Sequence, residues 1–501
     1  MERYQDTNGL FQLLVTDRTL PTEITAEFTL PDYRAEISRL LSVRPTLTPP
    51  EIFVGGGKAE LSGTVCYEIL YVGADGALFG CEEREGYHFT LPLDSVPEAG
   101  AILTAQCSTD AVVGRVTGPR KLQIRMRIHT RLMGYAEKEL RVTTEGEEAR
   151  QGETCRLCST VTAGRLYPEV RESISLTDSV DTPEDTRIIA ARGSVLTSEV
   201  SAGEECIHVR GDLIATLLLC RESEGAPYVI TRRIPFSHEL TAPDASAEQR
   251  ARVTCTVCEM NASVEEGTLQ LAPTLLLCAE TQGEEELIVC RDVFLPDATA
   301  SCRHANEPLF RAGHCTNRHF SVSGERTLAD LGLENATVID ATAEAEIGEK
   351  TADGARISIS GNLSCHLLCR VGDEYVQKDA LYPFRVCFED DALDLCGNLS
   401  VPVCRPVISG DALRVDAELS LSSRGQTPCP TAVLSDVTFT PAASRPHYGM
   451  ELYYPETGES LWSVAKRYGV SPDAIANANG ISGDSPAAPE SLAGRHFLLI
   501  P

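Results

Sequence analysis

The segment Glu51–Val72, EIFVGGGKAELSGTVCYEILYV, shows a pattern that the chain uses three times. It recurs as EVSAGEECIHVRGDLIATLLLC over Glu199–Cys220 and as EIGEKTADGARISISGNLSCHLLC over Glu346–Cys369. Each copy has an acidic residue, a β-branched residue, a polar turn, an alternating strand, a glycine and a more apolar strand. The aligned glycines lie 148 and 150 residues apart: Gly63, Gly211 and Gly361. A period of about 150 residues indicates a repeated domain, because solenoid repeats have periods of about 20 to 50 residues.

Alternating segments elsewhere in each copy favour antiparallel β structure. KLQIRMRIHTRL, from Lys121, and ALRVDAELSLS, from Ala412, place apolar side chains at every second position. This is typical of strands with one buried face, because successive side chains leave a sheet on opposite sides. The sequence therefore predicts a mainly β protein of three repeated, sandwich-like domains.

The predicted boundaries follow from this register. The three β domains are expected over residues 1–142, 155–280 and 317–422, with acidic or irregular links at Thr143–Thr154 and Ala279–Asn317. Residues 423–450, rich in Pro, Ser and Thr, are predicted to be an extended linker before a small module over 451–501. Within the first domain, Leu30–Val43 (LPDYRAEISRLLSV) has the apolar spacing of a short amphipathic helix.

The C-terminal stretch Gly458–Gly480, GESLWSVAKRYGVSPDAIANANG, predicts two short helices. Ser460 is a suitable N-cap for the first helix, and Gly469 suits a left-handed C-cap. Ser471 and Pro472 begin the second helix, which ends at Asn479-Gly480. Strand-like segments precede and follow the pair, so the predicted order is strand, helix, helix, strand.

This order, with G-E-S-L-W-S-V-A-K-R-Y-G-V and a terminal L-L-I-P, resembles a LysM module. The resemblance implies a shallow groove that binds N-acetylglucosamine polymers such as peptidoglycan or chitin. It lies between the loop after the first strand and the loop after the second helix. The candidate ligand or partner residues lie in these loops and on the first helix: Gly458, Glu459, Ser460, Leu461, Lys466, Arg467, Asn479, Gly480 and Ile481. Trp462, the single tryptophan, is assigned to the module's core, with sugar stacking as the alternative.

Composition excludes some classes of partner. The 501 residues carry 73 acidic and 44 basic side chains, for a formal net charge of −29. Binding to nucleic acid or to an anionic membrane needs clustered Lys and Arg, so neither is expected. No apolar run approaches the roughly 20 residues of a membrane-spanning helix. The N-terminal residues lack a basic, apolar leader, and a cytoplasmic location is therefore the expectation.

The 19 cysteines are scattered and odd in number, which favours reduced thiols over a disulfide framework. Two CxxC pairs, Cys155/Cys158 and Cys255/Cys258, have a spacing that can nucleate a zinc site. Cys255 and Cys258, inside RVTCTVCEM, are interpreted as strand residues, because positions i and i+3 of a strand face opposite sides. A denser cluster leaves metal binding open, although its spacing matches no standard zinc finger: Cys302, His304, His314, Cys315 and His319. No metal or other cofactor is predicted.

No catalytic signature is recognisable in the sequence. Gly55-Gly56-Gly57-Lys58 lacks the remaining residues of a phosphate-binding loop and is interpreted as a hairpin turn. The protein is therefore not expected to be an enzyme.

The triple β arrangement followed by the module resembles the SPOCS-domain proteins of endospore-forming bacteria, which act in spore coat morphogenesis. The resemblance implies a non-enzymatic assembly factor in the mother-cell cytoplasm, at the forespore surface. It also implies binding to the coat basement-layer ATPase, with the LysM module as a tether. The alternative is a protein that targets the cell wall by binding peptidoglycan.

Overall fold

The computed structural model describes residues 10–93, 101–140, 143–145, 154–223, 225–295, 298–354, 356–389, 394–441, 449–481, 492 and 495–501. The prediction of a mainly β protein is confirmed: the described residues form 26 strands and three short helices. We name the three β bodies unit 1 (β1–β7), unit 2 (β9–β16) and unit 3 (β18–β23).

Unit 1 consists of two facing antiparallel sheets. The central strand β7 pairs with β1 and β6, and the central strand β4 pairs with β5 on one side and with β2 and β3 on the other. Alternate residues of β7, from Leu122 to Ile128, are buried between the sheets. The strands are β1 (Leu10–Thr29), β2 (Ile37–Leu47), β3 (Glu51–Gly55), β4 (Lys58–Gly73), β5 (Leu78–Pro92), β6 (Ile102–Gly118) and β7 (Lys121–Glu139).

Unit 2 repeats this plan after the short strand β8 (Thr143–Glu145). Its long last strand, β16, pairs with β15 and with three successive strands that replace the single β1 of unit 1. The facing sheet has the order β12-β13-β14. The strands are β9 (Cys155–Leu166), β10 (Val170–Ser175), β11 (Asp178–Asp181), β12 (Thr186–Gly203), β13 (Cys206–Arg221), β14 (Pro227–Thr241), β15 (Arg250–Glu265) and β16 (Thr268–Phe294).

Unit 3 has the sheets β18-β23-β22 and β19-β20-β21. Strand β17, before it, and strand β24, after it, pair antiparallel, and β24 also pairs in parallel with β8. The elements are β17 (Ala298–Glu307), β18 (Phe310–Thr327), α1 (Leu328–Leu331), β19 (Ala336–Asp353), β20 (Arg356–Val371), β21 (Glu374–Glu389), β22 (Asp394–Ser409), β23 (Ala412–Pro428) and β24 (Thr431–Pro441).

The C-terminal module consists of β25 (Glu451–Tyr453), α2 (Leu461–Tyr468), α3 (Pro472–Asn479) and β26 (Leu498–Ile500). β25 and β26 pair antiparallel, which gives the predicted order of strand, helix, helix and strand.

The sequence repeat becomes visible in the packing between units. Seven residues after each aligned glycine lies a buried leucine: Leu70, Leu218 and Leu368. These equivalent residues of the three units belong to one hydrophobic cluster. The units are therefore packed around a common centre, where they share one hydrophobic cluster in addition to the separate core of each unit.

Buried charges also join the three units. Arg192 of unit 2 donates to Asp340 of unit 3 at 2.6 Å and lies 3.8 Å from Glu68 of unit 1. At a second junction, Arg424 of unit 3 donates at 2.6 Å to Glu280 of unit 2, and its other amino group lies 3.3 Å from the Tyr135 hydroxyl of unit 1. The units are thus connected by specific polar contacts as well as by apolar packing.

Three segments differ from the sequence predictions. Leu30–Val43 was predicted to contain a helix, but Ile37–Leu47 is strand β2. The predicted irregular link Ala279–Asn317 lies largely in β16, β17 and β18. The predicted linker 423–450 contains the end of β23 and all of β24. Each misassigned segment includes a β-bulge, which shifts the alternation of buried and exposed side chains.

Two further expectations concern smaller features. Gly55 pairs with Lys58 across the β3–β4 hairpin, so the glycine-rich segment is a turn, as predicted. Within the described residues, every cysteine with a described side chain is free of disulfide bonds. Over the same part of the chain, no helix has the length and apolarity needed to cross a membrane.

Candidate functional site

The two helices of the C-terminal module begin and end at capping residues. The Ser460 hydroxyl accepts a hydrogen bond from the Ser463 amide at 3.2 Å, and the Ser471 hydroxyl accepts one from the Ala474 amide at 3.1 Å. Gly469 and Gly480 close the helices with φ values of 67° and 57°, in the left-handed region that favours glycine. These caps fix the lengths of the loops that precede α2 and follow α3.

The module has a small hydrophobic core that includes residues of unit 2. Leu461, Val464 and Ile475 are buried in it together with the final strand. Phe294 of unit 2 belongs to the same cluster, and Cys155 and Leu157 of β9 pack against it. The module is therefore attached to unit 2 by an apolar interface.

Trp462 lies at the centre of this interface. Its ring meets the ring of Phe294 edge-on, with 5.0 Å between the centroids. Its indole nitrogen donates a hydrogen bond to an Asp292 carboxylate oxygen at 2.8 Å. Trp462 is buried, as predicted, but it is buried against unit 2 and is turned away from any sugar-stacking role.

Asp292 completes the attachment. The Lys466 ammonium group donates to both oxygens of this carboxylate, at 2.7 and 2.8 Å. Burial raises the pKa of Asp292, but the hydrogen bonds from Lys466 and Trp462 outweigh this and hold the pKa below its ordinary value of 3.8. Lys466 was predicted to be an exposed partner contact; in the structure it is an intramolecular ion-pair residue.

The loop before α2 is organised by Glu459. This carboxylate accepts hydrogen bonds from the Tyr453 hydroxyl at 2.6 Å and from the Glu456 amide at 2.9 Å. Arg467 donates to it at 2.5 Å, and also to the Tyr453 hydroxyl. The Glu459 side chain is only 12% exposed, whereas that of Arg467 is 50% exposed. Glu459 therefore shapes the loop, and Arg467 presents part of its side chain to solvent.

The loop after α3 is held by Asn479. Its amide group donates to the carbonyls of Ile475 and Leu499 at 2.8 and 2.7 Å, and its oxygen accepts from the Leu499 amide at 2.7 Å. Arg495 donates to the carbonyls of Asn479 and Gly480. The Asn479 side chain thus joins α3 to β26 through Leu499 and also bonds to its own helix, so its role is structural.

The predicted groove residues differ in their exposure. Gly458 and Gly480 are exposed, and a Cβ atom added at either would meet no atom within 4 Å. Leu461 is a core residue, Ile481 packs against the core, and Ser460 is the N-cap of α2. Thr457, beside Gly458, and Asn477, near Gly480, are exposed as well. The open surface of the two loops is therefore mostly backbone and small polar side chains.

Residues 456–489 match the LysM domain. The match includes the loop before α2, both helices and the start of the segment that leads to β26, and it supports a carbohydrate-binding role for this module. No curated protein and no solved structure matches the chain. The comparisons give no support for the resemblance of the three β units to SPOCS domains.

The cysteine and histidine cluster predicted as an open metal question is dispersed over β17 and β18. His304 contacts the Arg291 carbonyl at 2.8 Å, and His319 contacts the Thr197 carbonyl at 2.9 Å. Cys302 donates toward Asp292. In the described part of the chain, no three of the five residues bring ligand atoms within 4.8 Å of one another. The structure therefore does not assemble them into a metal site.

Asp292 and Phe294 were missed by sequence reasoning. Asp292 lies 170 residues before Trp462, at the end of a strand whose alternation is interrupted by a bulge between Cys290 and Asp292. No local pattern marks them, since an acidic residue beside an apolar one is common on strand ends.

Proposed function

We propose that the protein is a non-enzymatic binding protein whose LysM module holds an N-acetylglucosamine polymer of the peptidoglycan type. The three β units form the body on which the module is mounted. The observation that supports the proposal is the LysM match over residues 456–489, on a module that keeps Gly458 and Gly480 of its two groove loops exposed while its α2 face is attached to unit 2.

The surface of the loops suits a carbohydrate. The exposed side chains of Thr457 and Asn477 and the exposed backbone at Gly458 offer neutral hydrogen-bonding groups. Arg467 at the first loop and Arg495 at the second add cationic side chains beside them. The N-acetyl group and hydroxyls of the sugar are neutral donors and acceptors of the same kind. Polymer binding also suits a chain of strong negative charge, because it does not require phosphate neutralisation.

The clefts of the body support the non-enzymatic part of the proposal. Two clefts, of about 450 and 590 Å³, lie between the units. In the larger one, Arg192 is bound to Asp340, and Glu68 to Arg44. The first pair joins units 2 and 3, and the second lies within unit 1. Side chains held in ion pairs are unsuited to act as free acids, bases or nucleophiles.

Cosedimentation of the full chain with insoluble polymers tests the proposal. We expect retention on peptidoglycan and chitin, no retention on cellulose, which lacks the N-acetyl group, and release by soluble chitin oligosaccharides. The variant Thr457→Arg places a large charged side chain in the first loop and should abolish retention. Thr351→Arg, which adds the same side chain on an exposed part of unit 3, is the matched control. Equal retention of both variants, or equal retention on cellulose, would contradict the proposal.

A role in spore coat assembly is the second candidate. The observation that favours it is the size of the body: polymer binding uses the module alone and leaves the three connected β units, most of the chain, without a function. Under this hypothesis, the protein acts in the mother-cell cytoplasm at the forespore surface, and the three β units bind the coat basement-layer ATPase. A fluorescent fusion should then form a ring around the forespore and lose it in cells without that ATPase. A signal at the wall or septum of vegetative cells would instead support the hypothesis that the protein targets the cell wall by binding peptidoglycan.

A further inference from the structure

A second cluster of potential ligands lies far from the LysM module, on the exposed end of unit 2. Cys206 and His208 lie two residues apart on β13, so their side chains leave the same face of the sheet. Glu239 of β14 is directly opposite His208. In the described residues, this is the one group of three Cys, His, Asp or Glu side chains whose ligand atoms all lie within 4.8 Å of one another.

The imidazole lies between the other two groups. His208 Nε2 is 3.6 Å from the Cys206 sulfur, and its Nδ1 is 3.4 Å from a Glu239 carboxylate oxygen. The side chains of His208 and Glu239 are 52% and 64% exposed. The two contacts use different imidazole nitrogens, and a metal ion would take one of them. With one ligand atom from each residue, the three atoms lie within 4.8 Å of one another. Rotation of these exposed side chains would have to bring the three atoms to about 3.3 to 3.7 Å from one another, the spacing in a tetrahedral zinc site with metal–ligand distances of about 2.0 to 2.3 Å.

The three ligand types specify the class of ion. A thiolate and an imidazole are ligands for transition metals such as Zn²⁺, whereas Ca²⁺ and Mg²⁺ prefer oxygen ligands alone. The adjoining hairpin turn adds negative charge through Glu204 and Glu205, which favours a cation at this end of the sheet. Three protein ligands and an open, solvent-facing side leave room for a fourth ligand from outside the site.

The site is peculiar to unit 2. In the equivalent register positions, unit 1 has Lys58, Glu60 and Thr90, and unit 3 has Arg356, Ser358 and Cys387. A basic residue stands in place of Cys206 in both. The repeat alone therefore does not explain the cluster, because the fold is built twice more without it.

We propose that Cys206, His208 and Glu239 form a binding site for a divalent transition-metal ion, for which Zn²⁺ is the best match. The site does not depend on polymer binding by the LysM module. It is open to water or to a donor atom from another molecule at the fourth position.

Alkylation of the full chain under reducing conditions, read out by peptide mass spectrometry, tests the proposal. Metal binding occupies the thiolate that reacts with iodoacetamide, so micromolar Zn²⁺ should slow the modification of Cys206 by about tenfold or more. Cys387 is the internal control, since it is the exposed cysteine at the register position in unit 3 that Glu239 holds in unit 2. Its rate should not change.

The variants His208→Ala and Glu239→Gln should remove or strongly weaken the protection of Cys206 by Zn²⁺. Because both side chains are exposed, the fold should persist, and continued protection of Cys220, a buried cysteine on the same strand β13, reports this in the same sample. Binding of Co²⁺ should in addition give a sulfur-to-cobalt absorption band that Cys206→Ser abolishes and Cys387→Ser retains. A Cys206 rate insensitive to Zn²⁺, or protection that persists in His208→Ala, would overturn the proposal.

Discussion

At the scale of single residues, Asp292 determines how the LysM module is oriented on unit 2. One carboxylate accepts hydrogen bonds from both Trp462 and Lys466, four positions apart on α2. Residues i and i+4 lie on the same face of a helix, so a single acceptor fixes the orientation of that face toward unit 2. With α2 oriented in this way, Gly458 and Gly480 of the groove loops remain exposed. The contact at Asp292 therefore determines which part of the module is accessible to a ligand.

Asp292→Asn should loosen the attachment, because it removes the charge that Lys466 pairs with. We expect Trp462, the only tryptophan, to emit at longer wavelength and to be quenched more readily by acrylamide. The depressed pKa gives the matching acid effect: the contribution of Asp292 is complete above its ordinary pKa of 3.8 and is lost as the pH falls below it. Asp416→Asn, at an exposed ion pair of unit 3, is the control. The same emission and acid midpoint in Asp292→Asn and the unmodified chain would refute this role.

Asn479 is the second residue whose substitution has a specific expected effect on stability. Its side chain makes two hydrogen bonds to Leu499 that join α3 to β26 and a third to the Ile475 carbonyl within α3. Asn479→Ala leaves backbone groups unpaired and should destabilise the module by about 2 to 4 kcal/mol. Urea unfolding followed by Trp462 emission measures this. Asn477→Ala, an exposed asparagine on the same helix, should change the midpoint little. Similar midpoints for the two variants would show that Asn479 is not structural.

At the scale of elements, the strand pairs that contain the aligned glycines of units 2 and 3 explain why no larger residue fits at these positions. A Cβ atom at Gly361 would lie 2.0 Å from the Glu346 carbonyl oxygen, and one at Gly211 would lie 2.5 Å from that of Leu196. In both units the first strand has a bulge beside the residue that pairs with the glycine. The close approach of backbone at the bulge therefore excludes a side chain.

Gly361→Ala should destabilise unit 3 by about 1 to 3 kcal/mol, because the clashing atom belongs to backbone that cannot move aside easily. Gly348→Ala on the paired strand is the matched control, since its Cβ atom would make only ordinary contacts of 3.6 Å or more. Urea unfolding followed by far-ultraviolet circular dichroism gives both values. Equal stability of the two variants would contradict the explanation.

Bulges also explain which elements could be predicted from the sequence. Strands with uninterrupted alternation, such as β7 and β23, were recognised, and so were the capped helices of the LysM module. In β2, two bulges place Ile37, Leu40 and Val43 at spacings of three residues, which resembles a helix. In β24, the consecutive residues Val433 and Leu434 are both buried, in different hydrophobic clusters, and a bulge follows at Ser435, so the segment shows no regular alternation. The attachment through Asp292 could not be predicted, since it depends on how distant strands meet.

At the scale of the whole molecule, the junction at Glu280 connects all three units. Burial raises the pKa of this carboxyl group, but Arg424 and Arg252 outweigh it and keep the pKa below its usual value. Arg424 is also the unit 3 counterpart of Glu280, because both lie at the same position in the last strand of their units. The equivalent positions of units 2 and 3 thus carry side chains of opposite charge, Glu280 and Arg424.

Arg424→Met should lower the stability of the body by about 3 to 5 kcal/mol, because it leaves a buried carboxylate with one partner fewer. Unfolding should also become less cooperative as the contact between units 2 and 3 weakens. Arg414→Met, at an exposed ion pair on the same strand, is the control and should have no measurable effect. Circular dichroism during thermal and urea unfolding compares the two. Indistinguishable curves would show that the buried network is not needed.

The position of β24 has a mechanical consequence. This strand is the last described one before the LysM module, and its end at Pro441 pairs with Ala298, just after the strand that carries Asp292. If the LysM module holds a polymer as proposed, tension would strain the Asp292 contact first and then separate β24 from β17, beginning at Pro441, and from β8. The 11 residues of β24 would add roughly 35 Å of reach at about 3.3 Å per residue. The three sandwiches would bear the load only after this extension.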